Sequence, residues 1–385
     1  MRSGSSSPPP SPATAAARSR AGTAVRKPLS LADFARQLGL SPSTVSKAIN
    51  GRADVNAQTR ARVLAAAAAR QFTPDPAGRR LRRQTADTIG FVLSAPQAHF
   101  AHPFFLDMLT GIDEALEGTP YQTIIASARS PEREMECFVR LVEQHRVDAV
   151  LFARTRRNDP RIAYLLERKV PFVAFGRSES PKAYPCIDID HTVVGNAGCA
   201  RFIALGHRRI AQITGPSDLM FTHHQRTGYA QALSQAGLAF DPVLQVEEAL
   251  TEEGGARAAG ILLSAPNPPT AIVCGHDLMA LGVMRMIAQR GLRPGLDIGV
   301  IGGDNHPIGA LIDPPLTSFT AQTREAGHRM VQMLMASLAG TPARQLQEVW
   351  VPELIVRSSD GPRRPALANQ YRTATAKPKR ERSVA

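Results

Sequence analysis

The segment SPSTVSKAIN, residues 41–50, concentrates side chains that can hydrogen-bond to nucleic acid. Short hydroxyl and amide groups contact phosphates and base edges at close range, and a lysine can reach a guanine edge. Only Val45, Ala48 and Ile49 are apolar, a narrower stripe than a helix that merely packs in a core requires. The segment therefore predicts a helix lying on a phosphate backbone, and a helix used only for protein contact is the alternative.

A second group of polar residues follows short apolar segments that are typical of buried parallel strands. Ligands of open parallel sheets bind beyond the carboxyl ends of the strands, so these residues are expected to converge on one cleft. Carboxylates, amides and arginines suit a polyol, and aromatic rings offer a stacking face for a sugar. The strand-end candidates are Ser94, Arg154, Arg177, Asp190, His276, Asp277, Asp304 and Asn305, and the aromatic ones are Phe104, Phe105 and Phe221. Each could instead cap a helix or pack between lobes, and Asp277 could cap the helix that it begins.

Catalytic motifs are missing from the sequence. It contains no glycine-rich dinucleotide fingerprint, no P-loop, no H-E-x-x-H and no G-x-S-x-G. The D-I-D triplet at 188–190 matches a metal-binding D-x-D pattern, but the end of a strand at a sheet edge is the simpler interpretation. We therefore predict a protein that is not an enzyme and needs neither cofactor nor metal. The alternative is an enzyme acting on a sugar or nucleotide, with the basic head as a localising arm.

Charge is distributed unevenly along the 385 residues, whose net charge is +13. Residues 1–87 contain 15 Lys and Arg against 4 Asp and Glu, and residues 361–385 contain 7 against 1, whereas the 273 residues between them have a net charge of −4. A basic segment joined to a near-neutral globule indicates a nucleic-acid-binding arm. Residues 1–27 and 361–385, rich in proline, alanine or arginine, are expected to be disordered basic extensions.

Cysteine and hydropathy patterns indicate a cytoplasmic protein. The four cysteines are far apart and form no C-x-x-C pair, which argues against a disulfide framework or a zinc site. No apolar run approaches the ~18 residues of a membrane span. The N-terminus loosely resembles an organelle transit peptide, but its prolines at positions 8, 9, 10 and 12 favour a floppy extension.

Signals for helix ends place residues 41–50 in a helix-turn-helix. Apolar residues at helical spacing predict a first helix that ends at Gly39, because glycine readily adopts the left-handed conformation of a C-terminal cap. Ser41 then caps a second helix that begins at Pro42 and ends at Asn50 and Gly51. A third helix follows, and a glycine-containing turn between the first two is typical of the helix-turn-helix motif. We assign this domain to residues 28–74, followed by a basic, proline-punctuated hinge at 75–87.

Residues 88–360 alternate between short apolar segments and amphipathic helices. This alternation predicts α/β architecture with parallel sheets covered on both faces, and eight strands fit two doubly wound lobes better than one sheet. The predicted strands are 88–94, 121–127, 147–153, 170–176, 186–190, 209–215, 271–275 and 298–304. The predicted helices are 104–118, 130–146, 159–169, 192–206, 223–237, 276–290 and 323–338.

Residues 28–360 resemble the lac repressor family of bacterial transcription regulators. The resemblance rests on the segment SLADFARQLGLSPSTVSKAING and the later segment VNAQTRARV, with the T-V-S core of that family at 44–46. The resemblance implies base reading by Pro42, Ser43 and Lys47. It implies phosphate contacts by Ser41, Thr44, Ser46, Asn50 and Thr59. It also implies a hinge helix whose Leu81, in AGRRLRR, enters the minor groove as an apolar wedge; a buried linker residue is the alternative.

The same resemblance implies a core of periplasmic-binding-protein type that binds a small effector. The segment CGHDLMALGVMRMI aligns Asp277 with a ligand residue and puts His276 where the family usually has asparagine, and VIGGDN aligns Asp304 with another. The family's effector arginine falls at Gln225, with an arginine displaced to Arg226. From these matches and the strand-end pattern we predict effector contacts by Phe104, Arg154, Arg226, His276, Asp277 and Asp304.

The family resemblance also sets the expected partners and regulatory logic. One small head buries too little DNA for tight selective binding, so a homodimer reading a near-palindromic operator is expected. The core most resembles sugar- or oligosaccharide-sensing members rather than purine-sensing ones. A leucine heptad after Ser358 is missing, which argues against a tetramer. The sequence thus predicts an effector-responsive repressor of a sugar-utilisation operon.

Overall fold

A computed structural model describes residues 29–70, 72, 85–94, 103–128 and 130–364 of the chain. The predicted basic extension at 1–27, most of the predicted hinge including Leu81, and residues 365–385 lie outside the described residues. The chain divides into two compact units, residues 1–84 and 85–385. Each unit is described separately below.

The first unit contains three short helices around a small apolar core. These are α1 (Leu31–Gln37), α2 (Pro42–Ile49) and α3 (Ala57–Ala69). Ser30, Ser41 and Asn56 cap the three helices, each accepting a backbone N–H from the first turn. The rings of Phe34 and Phe72 stack with centroids 4.0 Å apart. This packing buries one face of α2 and leaves its hydroxyl-rich face toward solvent.

The second unit alternates strands and helices, as the sequence predicts. Its strands are β1 (Thr88–Ser94), β2 (Gln122–Ala128), β3 (Ala149–Ala153), β4 (Phe172–Phe175), β5 (Cys186–Ile189), β6 (Ile210–Thr214), β7 (Gln245–Glu247), β8 (Ala271–Cys274), β9 (Gly299–Ile301), β10 (Ser318–Phe319), β11 (Gln347–Trp350) and β12 (Leu354–Ile355). Its helices are α4 (Pro103–Leu116), α5 (Pro131–Glu143), α6 (Pro160–Glu167), α7 (His191–Ala204), α8 (Met220–Gln235), α9 (Glu252–Leu263), α10 (Asp277–Gln289) and α11 (Thr323–Leu338).

These strands form two parallel sheets, which confirms the predicted fold class. One sheet has the order β11-β5-β4-β3-β1-β2 and the other has the order β7-β6-β8-β9, with parallel pairing throughout both. Strands β10 and β12 form a separate antiparallel pair. In each larger sheet the strand order reverses beside the first strand, β1 or β6, which creates a switch point where ligands bind.

The two lobes do not follow one another simply along the chain. The first lobe is built on β1 to β5, but it also takes α11, which packs on α4, and edge strand β11 from the C-terminal part of the chain. The second lobe is built on β6 to β9, and Ser359 returns to it by accepting, through its backbone oxygen, the N–H of Val300 at 2.7 Å. Several chain crossings therefore connect the lobes.

The sequence did not predict α9 or the short strands β7, β10, β11 and β12. Helix α9 has the sequence EEGGARAAGILL, and its three glycines argue against a helix. The packing against α10 explains one of them: a Cβ added at Gly255 would lie 2.0 Å from the Met279 oxygen. In the facing helix α10, a Cβ added at Gly282 would lie 1.9 Å from the Glu252 oxygen. Here α9 and α10 approach at backbone contact, which only glycine permits.

In the described part of the chain, no helix combines the length and the hydropathy that a membrane span needs.

Candidate DNA-binding face and ligand cavity

The exposed face of α2 carries most of the predicted DNA-contacting residues. Pro42 and Ser43 are exposed in its first turn, and Lys47 is exposed in its last. The hydroxyl of Ser41 accepts the N–H of Thr44 at 3.0 Å and lies 2.8 Å from the Thr44 hydroxyl. The hydroxyls at 41 and 44 therefore build the helix start, whose free N–H groups and positive dipole end suit a phosphate.

The end of α2 is shaped by side-chain contacts of its own. The Asn50 amide donates to the backbone oxygen of Ser46 at 2.7 Å, and the ammonium of Lys47 pairs with Asp54 at 2.6 Å. Thr59 is half-buried in the first turn of α3. The structure thus brings the described DNA-contact candidates onto α2 and the start of α3. Asp54 lines a surface groove together with Lys47 and Asn50, and the sequence analysis did not select it.

In the second unit, a cavity lies where the carboxyl ends of both sheets meet. Its walls combine residues of both lobes. They are Phe104, Arg154, Thr155, Phe175, Gly176, Asp188, His191, Phe221, Gly275, His276, Gly303 and Asp304. Four of the six predicted effector contacts are among them, namely Phe104, Arg154, His276 and Asp304. The aromatic rings and the few polar groups match the composition of a small-molecule site.

Arg154 follows β3 directly and has an unusual backbone conformation. Its φ of 56° is left-handed, a strained region for a non-glycine residue. Its guanidinium lies over the ring of Phe105 at 5.3 Å from the centroid. Burial lowers the pKa of Arg154 to about 10, against the opposing effect of the Asp304 and Glu134 carboxylates, so the group stays charged at neutral pH.

A buried ionic network holds the backbone at Arg154 in place. Arg161 is 1% exposed and pairs with Asp159 at 2.7 Å and with Glu134 at 2.5 Å. The same guanidinium donates to the backbone oxygen of Arg154 at 2.9 Å and to that of Ala153 at 3.3 Å. The network therefore fixes the carboxyl end of β3, from which the Arg154 side chain projects.

Asp304 enters the cavity from the second lobe, after β9. One of its carboxylate oxygens accepts the backbone N–H of Asp277 at 2.6 Å, and the other lies 3.3 Å from the Nε2 atom of His276. A cation from one lobe and a carboxylate from the other thus line the same cavity. A polyol bridging them would hold the two lobes together.

Asp277 does not line the cavity, although the sequence predicted an effector contact. Its carboxylate is fully buried and accepts the N–H of Gly303 at 2.7 Å, of Asp304 at 3.2 Å and of His306 at 2.7 Å. The hydroxyl of Ser318 donates to it at 2.5 Å. Burial and the neighbouring Asp304 raise the pKa of Asp277, and these donors oppose the rise. The residue holds the loop that carries Asp304.

Arg226 also lies away from the cavity. Its guanidinium is 3.6 Å from the Glu247 carboxylate, and both side chains are more than a third exposed. The preceding residue, Gln225, is buried and directs its amide toward the cavity wall. That amide donates to the Gly275 oxygen at 3.0 Å and approaches Nδ1 of His191 at 3.3 Å. The arginine displaced by one position therefore points to a different surface of α8.

The remaining strand-end candidates lie around the rim or outside it. Arg177 donates to Asp188 at 2.6 Å, Asp190 caps α7, and Asn305 accepts from Arg357 at 2.7 Å. Phe105 is buried behind Phe104, Phe221 lines the cavity, and the side chain of Ser94 lies outside what the structure describes. In the D-I-D triplet, one aspartate therefore pairs with arginine and the other caps a helix.

One neutral imidazole, His191, lines the cavity, and a second, His224, lies outside its lining. Burial lowers the pKa of His191 to about 4, with a further lowering by His224, and burial and Arg177 lower the pKa of His224 to about 4. An amide nitrogen only donates, so Nδ1 of His191 accepts from Gln225 and its Nε2 atom carries the proton. A neutral histidine of this kind can donate to a sugar hydroxyl. The sequence analysis did not select His191, although it directly follows the predicted strand 186–190, which is the signal by which His276 was selected.

The two lobes touch directly beside the cavity. The backbone oxygen of Thr155 accepts the N–H of Met220 at 2.9 Å, and the N–H of Arg157 donates to the Asp218 oxygen at 2.9 Å. The guanidinium of Arg156 reaches the Asp218 carboxylate at 3.3 Å. These contacts close one side of the cavity and bring the start of α8 against the end of β3.

Comparison with known proteins gives two domain matches. Residues 30–75 match the family described as bacterial regulatory proteins, lacI family. Residues 199–359 match the family described as periplasmic binding protein-like domain.

Individual relatives cover nearly the whole chain. The HTH-type transcriptional regulator AglR of Rhizobium meliloti is 39% identical over 342 residues, 87% of this chain and 95% of its own. A solved complex of the transcriptional regulator CelR with cellobiose has a TM-score of 0.67 and 31% identity, covering 86% of this chain and 99% of that one. The lac repressor dimer bound to operator has a TM-score of 0.75 over 86% of this chain and 99% of its own, and at 24% identity it supports the fold alone. Each of these three is named a regulator or a repressor.

Proposed function

The chain belongs to the lacI family of bacterial regulatory proteins, and we propose that it represses a sugar-utilisation operon in response to a sugar-like effector. It is a transcription regulator, and its relatives are not enzymes. The alternative of an enzyme acting on a sugar or nucleotide is therefore not supported. Three points are proposed: that the effector is sugar-like, that the protein represses transcription, and which residues form the two sites.

The proposed DNA-reading element is α2. Its exposed N-terminal turn presents Pro42 and Ser43, and its far end presents Lys47, at the positions where the family resemblance expects base contacts. The N-terminus of such a helix enters the major groove in helix-turn-helix proteins. The proposed phosphate contacts are Ser41, Thr44, Ser46, Asn50 and Thr59. The minor-groove wedge, Leu81, lies outside the described residues and is supported by the resemblance alone.

The proposed effector site is the cavity between the two sheets. The observation that carries it is that Arg154 and Asp304 line one cavity from opposite lobes. An effector with several hydroxyls can accept from the guanidinium and donate to the carboxylate at once, so it favours a closed arrangement of the lobes. The rings of Phe104, Phe175 and Phe221 offer apolar faces for a sugar. The CelR complex with cellobiose gives a precedent in a relative.

We also propose that the protein acts as a homodimer on a near-palindromic operator. Apolar side chains are exposed on β2 and α4 of the first lobe: Ile124, Ile125 and Leu106 are 41%, 48% and 54% exposed. Exposed apolar residues on an edge strand favour association with a second chain. Sedimentation of the full chain tests this assembly, and a monomer at micromolar concentration would contradict it.

The domain assignment follows from the same premise. We propose that residues 28–74 bind DNA, that 75–87 act as the hinge and that 88–360 bind effector and form the dimer, with basic extensions at 1–27 and 361–385. A regulator of this kind works on chromosomal DNA, so we infer a cytoplasmic location.

The experiment is a thermal-shift screen of the full chain against mono- and oligosaccharides, followed by gel shifts on its operator with each hit. The expected result is a hit that stabilises the core and changes operator affinity. Arg154→Met should remove the stabilisation and leave operator binding intact. A hit that binds equally well to the Arg154 variant would show that the effector site lies elsewhere. DNA binding without sequence preference would contradict the proposed function as a regulator.

A further inference from the structure

A carboxylate lines the groove beside α2, the proposed DNA-reading helix. Asp54 lies in the turn between α2 and α3, beside Val55, which is buried in the core of the head. Its Oδ2 atom lies 2.6 Å from the Nζ atom of Lys47. Both side chains are about half exposed, at 55% and 50%. The pair therefore sits at the surface, while the buried neighbour anchors the backbone of Asp54.

The position of this pair is the second observation. Asp54 shares one groove with a second cation, Arg52, and with four residues proposed to contact DNA, which are Ser43, Ser46, Lys47 and Asn50. A carboxylate that faces phosphates is repelled by them, and this repulsion weakens DNA binding unless a cation or a base edge compensates. An exposed ion pair contributes little to folding stability. Stability of the head therefore does not account for an acid at this place.

The other acid among the described head residues, 29–70 and 72, has different surroundings. Asp33 lies on α1, where it accepts from Ser30 at 2.6 Å and pairs with Arg36 one turn later at 2.7 Å. It does not line the groove beside α2. The two acids carry the same charge in the same small domain, so Asp33 supplies a matched control for Asp54.

We propose that Asp54 is a specificity-determining residue, which restrains Lys47 from non-specific phosphates and leaves it available to a matching base edge. This inference rests on the proposed role of Lys47 in base reading. An ammonium has three N–H donors, so on the operator it can keep Asp54 and also donate to guanine O6 or N7. On other sequences Lys47 gains a phosphate only by leaving Asp54. The carboxylate then faces the DNA with its 2.6 Å ion pair broken, and the weaker charge interaction with Arg52 remains. Non-specific complexes are thereby weakened more than the specific one.

The test uses the full chain and two duplexes of equal length. One is an operator selected from a random library with the wild-type protein, and the other is its scrambled version. Asp54→Asn should tighten binding to the scrambled duplex by roughly five- to tenfold and binding to the operator by less than about twofold. Asp33→Asn removes the same charge and should tighten both duplexes equally and slightly. Equal shifts on both duplexes for Asp54→Asn, matching those of Asp33→Asn, would overturn the inference.

Lys47→Ala separates this inference from the function on which it rests. We expect it to weaken operator binding, and adding Asp54→Asn to it should leave the ratio of operator to scrambled affinity unchanged, because Asp54 acts through Lys47. A changed ratio in the double variant would overturn the inference and leave α2 as the DNA-reading helix. Unaltered operator affinity in Lys47→Ala would overturn the assignment of Lys47 and the inference with it. Far-ultraviolet circular dichroism of each variant establishes that the head is folded.

Discussion

The carboxylate of Asp277 accepts the backbone N–H of His306 at 2.7 Å, and this bond ties the start of α10 to the loop that follows Asp304. The same carboxylate accepts from Gly303, Asp304 and Ser318. A residue that the sequence aligns with an effector ligand is therefore occupied entirely by the protein. We propose that it acts on the effector through Asp304, as a positioning residue.

Replacing Asp277 should affect stability and effector binding together. Asp277→Ala leaves several buried donors without an acceptor, which should lower the free energy of unfolding of the core by about 3–5 kcal/mol and greatly weaken effector binding. Ser318→Ala removes one donor to Asp277 and the acceptor of the Asn305 N–H, and it should cost less, about 1–3 kcal/mol. Thermal melts and effector titrations of both variants measure this. Loss of effector binding with an unchanged melting temperature would instead indicate direct contact.

Substitutions of two neighbouring residues on α8 should differ sharply in their effect on effector affinity. Arg226→Ala breaks only an exposed pair with Glu247, so effector affinity should change by less than about twofold. Gln225→Ala removes the amide that contacts His191 and Gly275 behind the cavity, and affinity should fall by about tenfold or more. Calorimetric titration of the two variants makes the comparison. A larger loss of effector affinity in Arg226→Ala than in Gln225→Ala would show that Arg226 belongs to the effector site.

The neutral state of His191 makes a contribution to stability that depends on pH. Its pKa is lowered to about 4 in the folded protein by burial and by His224, from the ordinary value of 6.5. Protonation therefore favours the unfolded chain, so this contribution is present above pH 6.5 and is lost as the pH falls toward 4. At pH 4 the loss is about 3 kcal/mol by linkage.

The measurement compares denaturant unfolding of the wild type with that of His191→Gln from pH 7 to pH 4. The stability advantage of the wild type should decline by up to that amount as the pH falls. Asp188, Asp190, Arg177 and His224 remain in both proteins, so to first order their titration cancels in the difference. A difference that is constant with pH would contradict a neutral His191.

Breaking the buried network at Arg161 should be strongly destabilising. Arg161→Met leaves the buried carboxylates of Glu134 and Asp159 without their shared cation, at a cost of about 3–5 kcal/mol. It also frees the backbone oxygen of Arg154, so effector affinity should fall too. Arg168→Ala breaks an exposed pair with Glu143 and should cost less than about 1 kcal/mol. Equal melting temperatures for the two variants would show that the network does not stabilise this lobe.

Much of the fold could be predicted because its signals are local. Serine and asparagine caps, glycine after α1 and apolar spacing are read within a few residues, and the eight strands predicted in the core lie where the structure places them. Helix α9 and strand β11 could not be predicted in this way. Gly255 of α9 is required by the close contact with α10, and β11 pairs with β5, about 160 residues earlier in the chain.

The residues that line the cavity could also be predicted only in part. Arg154, His276 and Asp304 follow strands directly, so the rule that ligands bind at carboxyl ends of strands was enough to select them. His191 and Thr155 come one residue after the selected strand-end positions Asp190 and Arg154, but the sequence analysis did not select them. The rule does not say which residues after a strand face the cavity, because this depends on how the two lobes pack.

The sequence alone therefore determined the family, the helix-turn-helix head, the two-lobed parallel core and the edge at which a ligand would bind. Only the tertiary structure decided that Asp277 faces inward, that Arg226 faces outward and that Lys47 is paired with Asp54. Helical and strand periodicity is set by neighbours in the chain. The direction and partners of these polar side chains are set by groups that the fold brings together from 7 to 41 residues away, beyond the reach of helical or strand periodicity.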